Sequence, residues 1–166
     1  MTGVAATILL GETTHHAVCL NQTRPIEAEQ VELWSNTKLL IVDEISFADK
    51  NDIEEIDKKT RLLKQNLTSR YGGIDIIFAG DLRQLEPVGK FTKPIYEGNC
   101  QAFRDWINCY LELGGIHRFR DDPEWGQLLL RFRSGKLTIQ DINRINQSVV
   151  KSTDSLPEDI RYATFF

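Results

Sequence analysis

Cysteine is scarce and badly placed for pairing: Cys19, Cys100 and Cys109 lie far apart and are odd in number. No C-x-x-C pair occurs and histidine is equally rare, so neither a disulfide framework nor a zinc centre suits this chain. A reducing, intracellular compartment fits best: nucleus or mitochondrion in a eukaryote, cytoplasm in a bacterium. No apolar run approaches the length of a membrane span. The opening Met1-Thr2-Gly3-Val4-Ala5-Ala6 has no basic stretch of the kind that begins a secretory signal. Positive charge is not in excess either. Twenty Lys and Arg against 24 Asp and Glu leave a net charge of −4, which argues against a generally basic nucleic-acid binder but leaves room for a local basic groove. Proline (5) and glycine (11) are too few for a low-complexity chain, and no internal repeat is visible. What remains, 41% hydrophobic and 27% charged over 166 residues, is the profile of one globular domain with a real core.

The most informative stretch is Leu39-Leu40-Ile41-Val42-Asp43-Glu44-Ile45-Ser46. Four apolar residues in a row suit a strand buried on both faces of a parallel sheet. The two acids then stand at its C-terminal edge, where open α/β sheets bind ligands. Adjacent carboxylates in such a place point to phosphate–metal chemistry, one for Mg²⁺ and one to activate a water. The plainer alternative is a strand end whose acids cap the next helix.

A second apolar run, Ile74 to Ala79, predicts another buried strand. It ends in Gly80-Asp81-Leu82-Arg83-Gln84-Leu85-Glu86-Pro87-Val88. Gly80 allows tight backbone geometry there, and two polar strand ends in one domain mark a shared crevice. Around these strands, residues 2–11 read as a turn and a short helix. In Gly11-Glu12-Thr13-Thr14-His15-His16, hydroxyls and imidazoles stand where they can meet phosphate oxygens or simply cap a helix. Pro25 opens a helix with Ala28, Val31 and Trp34 at helical spacing, Trp34 as core. Asp49 to Tyr71 predicts one amphipathic helix with Ile53, Ile56, Leu63 and Leu67 inward, a solvated charge run from Asp52 to Lys59, and Gly72-Gly73 as its stop. Gln101 to Ile107 reads as a short helix and Cys109 to Leu113 as a third strand. Arg118 follows it, placed either to neutralise phosphate charge or to pair with Asp121 or Asp122. Glu124 to Phe132 predicts a helix with Trp125, Leu128, Leu129 and Phe132 inward, ended by Ser134-Gly135. Ile139, Ile142 and Ile145 mark another helix, 151–158 a loop, and 161–166 the start of a strand.

Taken in order, these blocks resemble the PIF-type DNA helicases, RecD-related members of superfamily one. Thr2-Gly3-Val4-Ala5-Ala6 with Gly11, Thr13 and His15 looks like motif Ia of that family. Val42 to Ser46 looks like motif II, the Walker B element, and Gly80 to Val88 like motif III. His117-Arg118-Phe119, with Asp122 and the Leu129 to Gly135 segment, looks like motif IV and the helix after it. The chain departs from the pattern at Phe47, where the family usually has Met, and at Glu86, which replaces the first of two prolines.

The resemblance implies a RecA-like P-loop NTPase domain: α/β, with a mostly parallel sheet flanked by helices. It implies ATP and Mg²⁺ as cofactors, with Asp43 on the metal, Glu44 polarising the attacking water, and Asp81 and Gln84 at the nucleotide. By the same resemblance Gln84 would sense the γ-phosphate and Arg118 would contact it. Thr2, Gly3, Thr13 and His15 would lie along single-stranded DNA. The implied activity is ATP-driven 5′→3′ translocation and unwinding at duplex junctions, with family roles in DNA repair, recombination and telomere maintenance. No G-x-x-x-x-G-K-S/T loop occurs: Gly89-Lys90 is followed by Phe91-Thr92 and lacks the preceding glycine. The expectation is therefore an incomplete first motor domain over 1–150, lacking the first strand and that loop, with 151–166 leading towards a second RecA-like domain. A non-catalytic binding module descended from such an ATPase is the alternative.

Overall fold

The computed structural model describes residues 11–20, 25–89, 92–97, 105–147 and 149. The chain forms two compact units, Met1–Tyr110 and Leu111–Phe166. The expected turn and helix at 2–11 (Gly11 apart), the loop at 151–158 and the strand start at 161–166 lie outside the described residues.

In the first unit the order is α1 (Thr14–Ala17), α2 (Ala28–Ser35), β1 (Leu39–Val42), a 3-10 turn (Ile45–Phe47), α3 (Lys50–Leu63), a second 3-10 turn (Arg70–Gly73) and β2 (Asp75–Phe78). The two strands run parallel, with Leu39 opposite Asp75 and Val42 opposite Phe78. Parallel neighbours need a crossover, and α3 lies in it. Leu40, Val42, Ile76 and Phe78 face the core. Leu39, Ile41 and Ile77 are exposed. Burial on both faces is thus not what the described residues display, because alternate side chains of a strand point to opposite sides and one side here is bare.

α3 begins where expected. The Asp49 carboxylate accepts from the Asn51 and Asp52 amides at 2.7 and 3.0 Å, and Asp52 accepts from the Asp49 amide at 2.9 Å, a reciprocal cap. The helix ends eight residues short of expectation, at Leu63 rather than Tyr71. Lys64 is its C-cap and Gln65 takes a φ of +50°. Arg61 then donates to the Leu67 carbonyl, and the Asn66 side chain holds the Ser69 amide and the Gly72 carbonyl. Leu67 is left 64% exposed, and Gly72-Gly73 sit in the later 3-10 turn. Asp57 corrects the solvated-run expectation too. It is buried, with Oδ1 accepting from the Tyr71 amide at 2.6 Å and Oδ2 from Arg61 Nε at 2.8 Å. A charge fully met in this way tolerates burial.

Lys64 also reaches across to α2. Its Nζ donates to the carbonyls of Trp34, Ser35 and Thr37 at 3.0, 2.7 and 3.0 Å, at and just past the end of α2, where the regular intrahelical bonds run out. Trp34 is core, as expected, and its indole N–H donates to Ala17. One cluster joins Val18, Leu20, Trp34, Ile56, Leu63, Tyr71 and Ile74; a second joins Val42, Ile45, Ile53 and Ile95. Each such side chain contributes about 1.5–3 kcal/mol when fully buried.

The third strand is absent. Residues 107–114 hold neither strand nor helix, and Tyr110, Leu111 and Leu113 are exposed. Strand preference expresses packing against a neighbour, and no described strand lies beside this stretch. Of the helix expected at Gln101 to Ile107, residues 105 and 106 are helical and 101–104 lie outside the described residues.

The second unit holds α4 (Pro123–Arg133) and α5 (Ile139–Gln147). Asp122 caps α4 by accepting from the Trp125 amide, and Ser134 with Gly135 (φ +66°) closes it as expected. Leu128 is buried and Trp125 and Leu129 half-buried, but Phe132 is exposed, as are Ile139 and Ile142. The inward group on α5 is Asp141. Arg131 meets it with two parallel bonds of 2.7 and 2.5 Å, and the Thr138 amide and hydroxyl add two more. Arg131, and after it Thr138, hold the Asp141 carboxyl well below the usual carboxylate range.

This carries a sign for acid stability. A carboxyl depressed in the folded state adds stability above its unfolded pKa, and that stability is lost as pH falls below about 4. Acid titration followed by near-ultraviolet circular dichroism should therefore begin to unfold this unit below about pH 4. An Asp141→Asn variant should be less stable at neutral pH and lack that acid-dependent step. An unchanged acid profile would show that the pair contributes nothing.

Candidate functional site

The two polar strand ends meet. Beyond β1 and β2 the backbone ladder continues: the Ala79 amide donates to the Val42 carbonyl at 2.8 Å, and the Ile45 amide to the Ala79 carbonyl at 2.9 Å. These bonds lay Gly80 directly against Glu44 and Ile45. A Cβ built on Gly80 would stand 2.8 Å from the Ile45 nitrogen and 3.3 Å from Glu44 Cα and carbonyl carbon, and the residue has a φ of +147°. Only glycine meets both demands without strain.

Asp43 and Glu44 are both half-buried at this edge. Asp43 Oδ1 accepts from the Glu44 amide at 2.9 Å, and Glu44 takes a left-handed φ of +57°. Neither carboxylate caps a helix. Glu44 precedes the 3-10 turn but makes no capping bond, and the cap of α3 is Asp49. A sparsely populated backbone conformation at a polar strand end is the kind of strain that functional sites hold.

Across the junction, Asp81 organises a tight turn. Its Oδ1 accepts from the Arg83 amide at 3.0 Å, its carbonyl from the Gln84 amide at 2.9 Å, and its Oδ2 stands 3.4 Å from Gln84 Nε2. Gln84 is exposed at the tip. Glu86 accepts from the Tyr96 hydroxyl at 2.8 Å, and this bond holds the Tyr96 phenol above its ordinary pKa.

The remaining expected residues stand elsewhere. Thr13 is the N-cap of α1, its hydroxyl 3.4 Å from the His16 amide, and His15 is exposed on that helix. His16 pairs with Glu12 at 2.7 Å. Thr2 and Gly3 lie outside the described residues. Arg118 belongs to the second unit, in the turn that precedes α4, and is exposed. Asp122 does not pair with it, being taken by Arg144 at 3.0 Å and by the cap of α4. Gly126, unremarked in the sequence, fixes how this turn lies. A Cβ there would stand 2.2 Å from Ile116 Cγ2 and 3.3 Å from Phe119 Cβ. A glycine inside an eleven-residue helix was its one signal.

A family model described as PIF1-like helicase matches residues 1–122. The chain belongs to the PIF1-like helicase family. Among curated relatives of this family, the ATP-dependent DNA helicase PIF1 of Danio rerio is 32% identical over 151 residues, covering 82% of this chain and 23% of that protein. The ATP-dependent DNA helicase RRM3 of Saccharomyces cerevisiae is 29% identical over 175 residues, covering 98% of this chain and 23% of its own length. This chain thus spans less than a quarter of either relative. Among solved structures, Pif1 helicase from Candida albicans superposes with a TM-score of 0.74 at 25% identity, over 98% of this chain and 40% of that one. Pif1 helicase from Bacteroides, crystallised with ADP-AlF3 and single-stranded DNA, gives 0.70 at 24% identity over 95% of this chain and 40% of its own. The fold is accordingly RecA-like and α/β, seen here in part.

Proposed function

We propose that this chain is part of an ATP-dependent helicase that couples ATP hydrolysis to 5′→3′ movement along single-stranded DNA and to separation of duplex junctions. The observation that carries this reading is the junction of two polar strand ends, Asp43-Glu44 against Gly80 to Gln84, held by the Val42–Ala79–Ile45 ladder. Parallel sheets hold ligands at such edges. The names of the PIF1-family relatives, and the ADP-AlF3 and single-stranded DNA in the Bacteroides neighbour, support nucleotide and DNA as the ligands.

The donor set fits Mg²⁺, a hard cation that prefers carboxylate oxygens; bound with ATP it supplies neutralisation of phosphate charge. In this reading Asp43 would hold the ion, its Oδ1 oriented by the Glu44 amide. Glu44 takes the proton of the attacking water. Asp81 shapes the turn that presents Gln84 to the γ-phosphate, and family resemblance assigns Arg118 to the same group. Thr2, Gly3, Thr13 and His15 follow the DNA backbone. Closure against a second RecA-like domain then couples the nucleotide state to movement.

Two measurements test it. The longer protein carrying this chain should bind a labelled single-stranded oligonucleotide with an affinity that changes severalfold between nucleotide-free and ADP-AlF3 conditions. The 166-residue chain by itself, whose sequence has no phosphate-cradling loop, should show no DNA-stimulated hydrolysis. Binding that ignores nucleotide would favour the non-catalytic module. Salt dependence alone separates nothing, since both readings involve phosphate contacts.

A further inference from the structure

We propose that residues 92–97 are a strap that holds the motif III loop against the motif II edge, with Tyr96 and Thr92 as its positioning residues. The functional half of this proposal rests on the helicase reading above. Beyond the Asp81 turn the loop has little to hold it by itself: Leu85 and Glu86 are exposed and Val88 is 94% exposed. The strap, by contrast, is anchored. Ile95 is buried among Val42, Ile45 and Ile53, directly beneath motif II. Pro94, also buried, pairs with Asp49 at the start of α3, and the Glu97 amide closes a turn onto the Pro94 carbonyl at 2.9 Å. From that anchor two side chains reach the loop. The Thr92 hydroxyl lies 3.0 Å from the Gly89 carbonyl and 3.3 Å from that of Pro87, and its one proton serves either. The Tyr96 hydroxyl donates to Glu86 Oε1 at 2.8 Å.

Glu86 stands where the PIF-type pattern has the first of two prolines. Proline locks φ and stiffens a loop at no cost in contacts. Glutamate gives up that stiffness, and its carboxylate regains a restraint by accepting from Tyr96. The two residues then act as one device. Losing the Tyr96 hydroxyl should matter when position 86 is glutamate and should not matter when it is proline.

Backbone hydrogen exchange of the full chain, read by mass spectrometry over Leu82 to Gly89, tests the restraint. Tyr96→Phe should speed exchange in this stretch about fivefold, the worth of one net hydrogen bond, while α3 around Ile53 is unchanged. In a Glu86→Pro background the same substitution should have no effect. Equal effects in both backgrounds, or none in either, would overturn the strap. In the longer protein, Tyr96→Phe should lower kcat for ATP with KM unchanged, and adding Glu86→Pro should restore it. Faster exchange with unaltered turnover would overturn the positioning role. Absence of DNA-stimulated turnover in the unsubstituted protein would overturn the helicase reading, and the exchange result would stand separately.

Discussion

Replacing Glu44 with glutamine in the longer protein that carries this chain is expected, on the proposed function, to slow single-turnover ATP hydrolysis by about 10²–10⁴-fold. Glutamine keeps the length, the polarity and the left-handed backbone of the residue, so the 3-10 turn after it and the ladder to Ala79 should survive. What it loses is the ability to accept a proton from water. Nucleotide binding, followed with a fluorescent analogue, should stay within a fewfold of the original. Asp43→Asn is expected to behave differently. Weakening a metal ligand raises the Mg²⁺ requirement as well as lowering the rate, so excess Mg²⁺ should recover part of the loss for Asp43→Asn and none for Glu44→Gln. An unchanged rate in Glu44→Gln would remove Glu44 from the chemistry.

The second large effect is expected at Gly80. An alanine there must hold a φ of +147° and place its Cβ 2.8 Å from the Ile45 nitrogen. The colliding atoms are backbone, and no rotamer change moves them away. Strained backbone of this sort costs about 1–3 kcal/mol before any clash is counted, so Tm should fall by roughly 10 °C. The damage should also be directional. Relief requires motif II and motif III to separate, so the variant that does fold should bind nucleotide weakly. Gly114→Ala is the control: nothing lies within 4 Å of a Cβ at that position, and its Tm should not move. A Gly80→Ala protein with unchanged melting and nucleotide affinity would show that the two strand ends are not rigidly joined.

Much of this was legible in the residues because local signals there agree. The run Leu39 to Val42 and the run through Asp75 to Phe78 are strands in register, each ending in polar residues, and Asp49 starts its helix. Apolar spacing says which side of an element is greasy but not what covers it. Leu39, Ile41 and Ile77, and likewise Phe132, Ile139 and Ile142, lie on apolar faces that no described element covers. Spacing also cannot see a charge that folds inward with its partners. Asp57 was expected on a solvated face, and it is buried because Arg61 and the Tyr71 amide meet its carboxylate; Asp141 is buried likewise against Arg131 and Thr138. The end of α3 was invisible for a related reason. It depends on Gln65 adopting a conformation that glutamine rarely takes, sustained by contacts from Arg61 and Asn66 on either side. At the site, the acids and Gly80 could be read from sequence. The strap could not, since Tyr96 and Glu86 are ten positions apart and belong to no periodic pattern.

The Lys64 ammonium has a consequence for which substitutions look harmless. Three carbonyls from the end of α2 converge on one tetrahedral nitrogen that carries three donors. A guanidinium offers more donors, but they lie in one plane and fan outward, which suits two oxygens side by side rather than three around a point. Arginine, the usual charge-conserving exchange, would therefore fit this position worse than its charge suggests. It would leave part of the α2 terminus to find water.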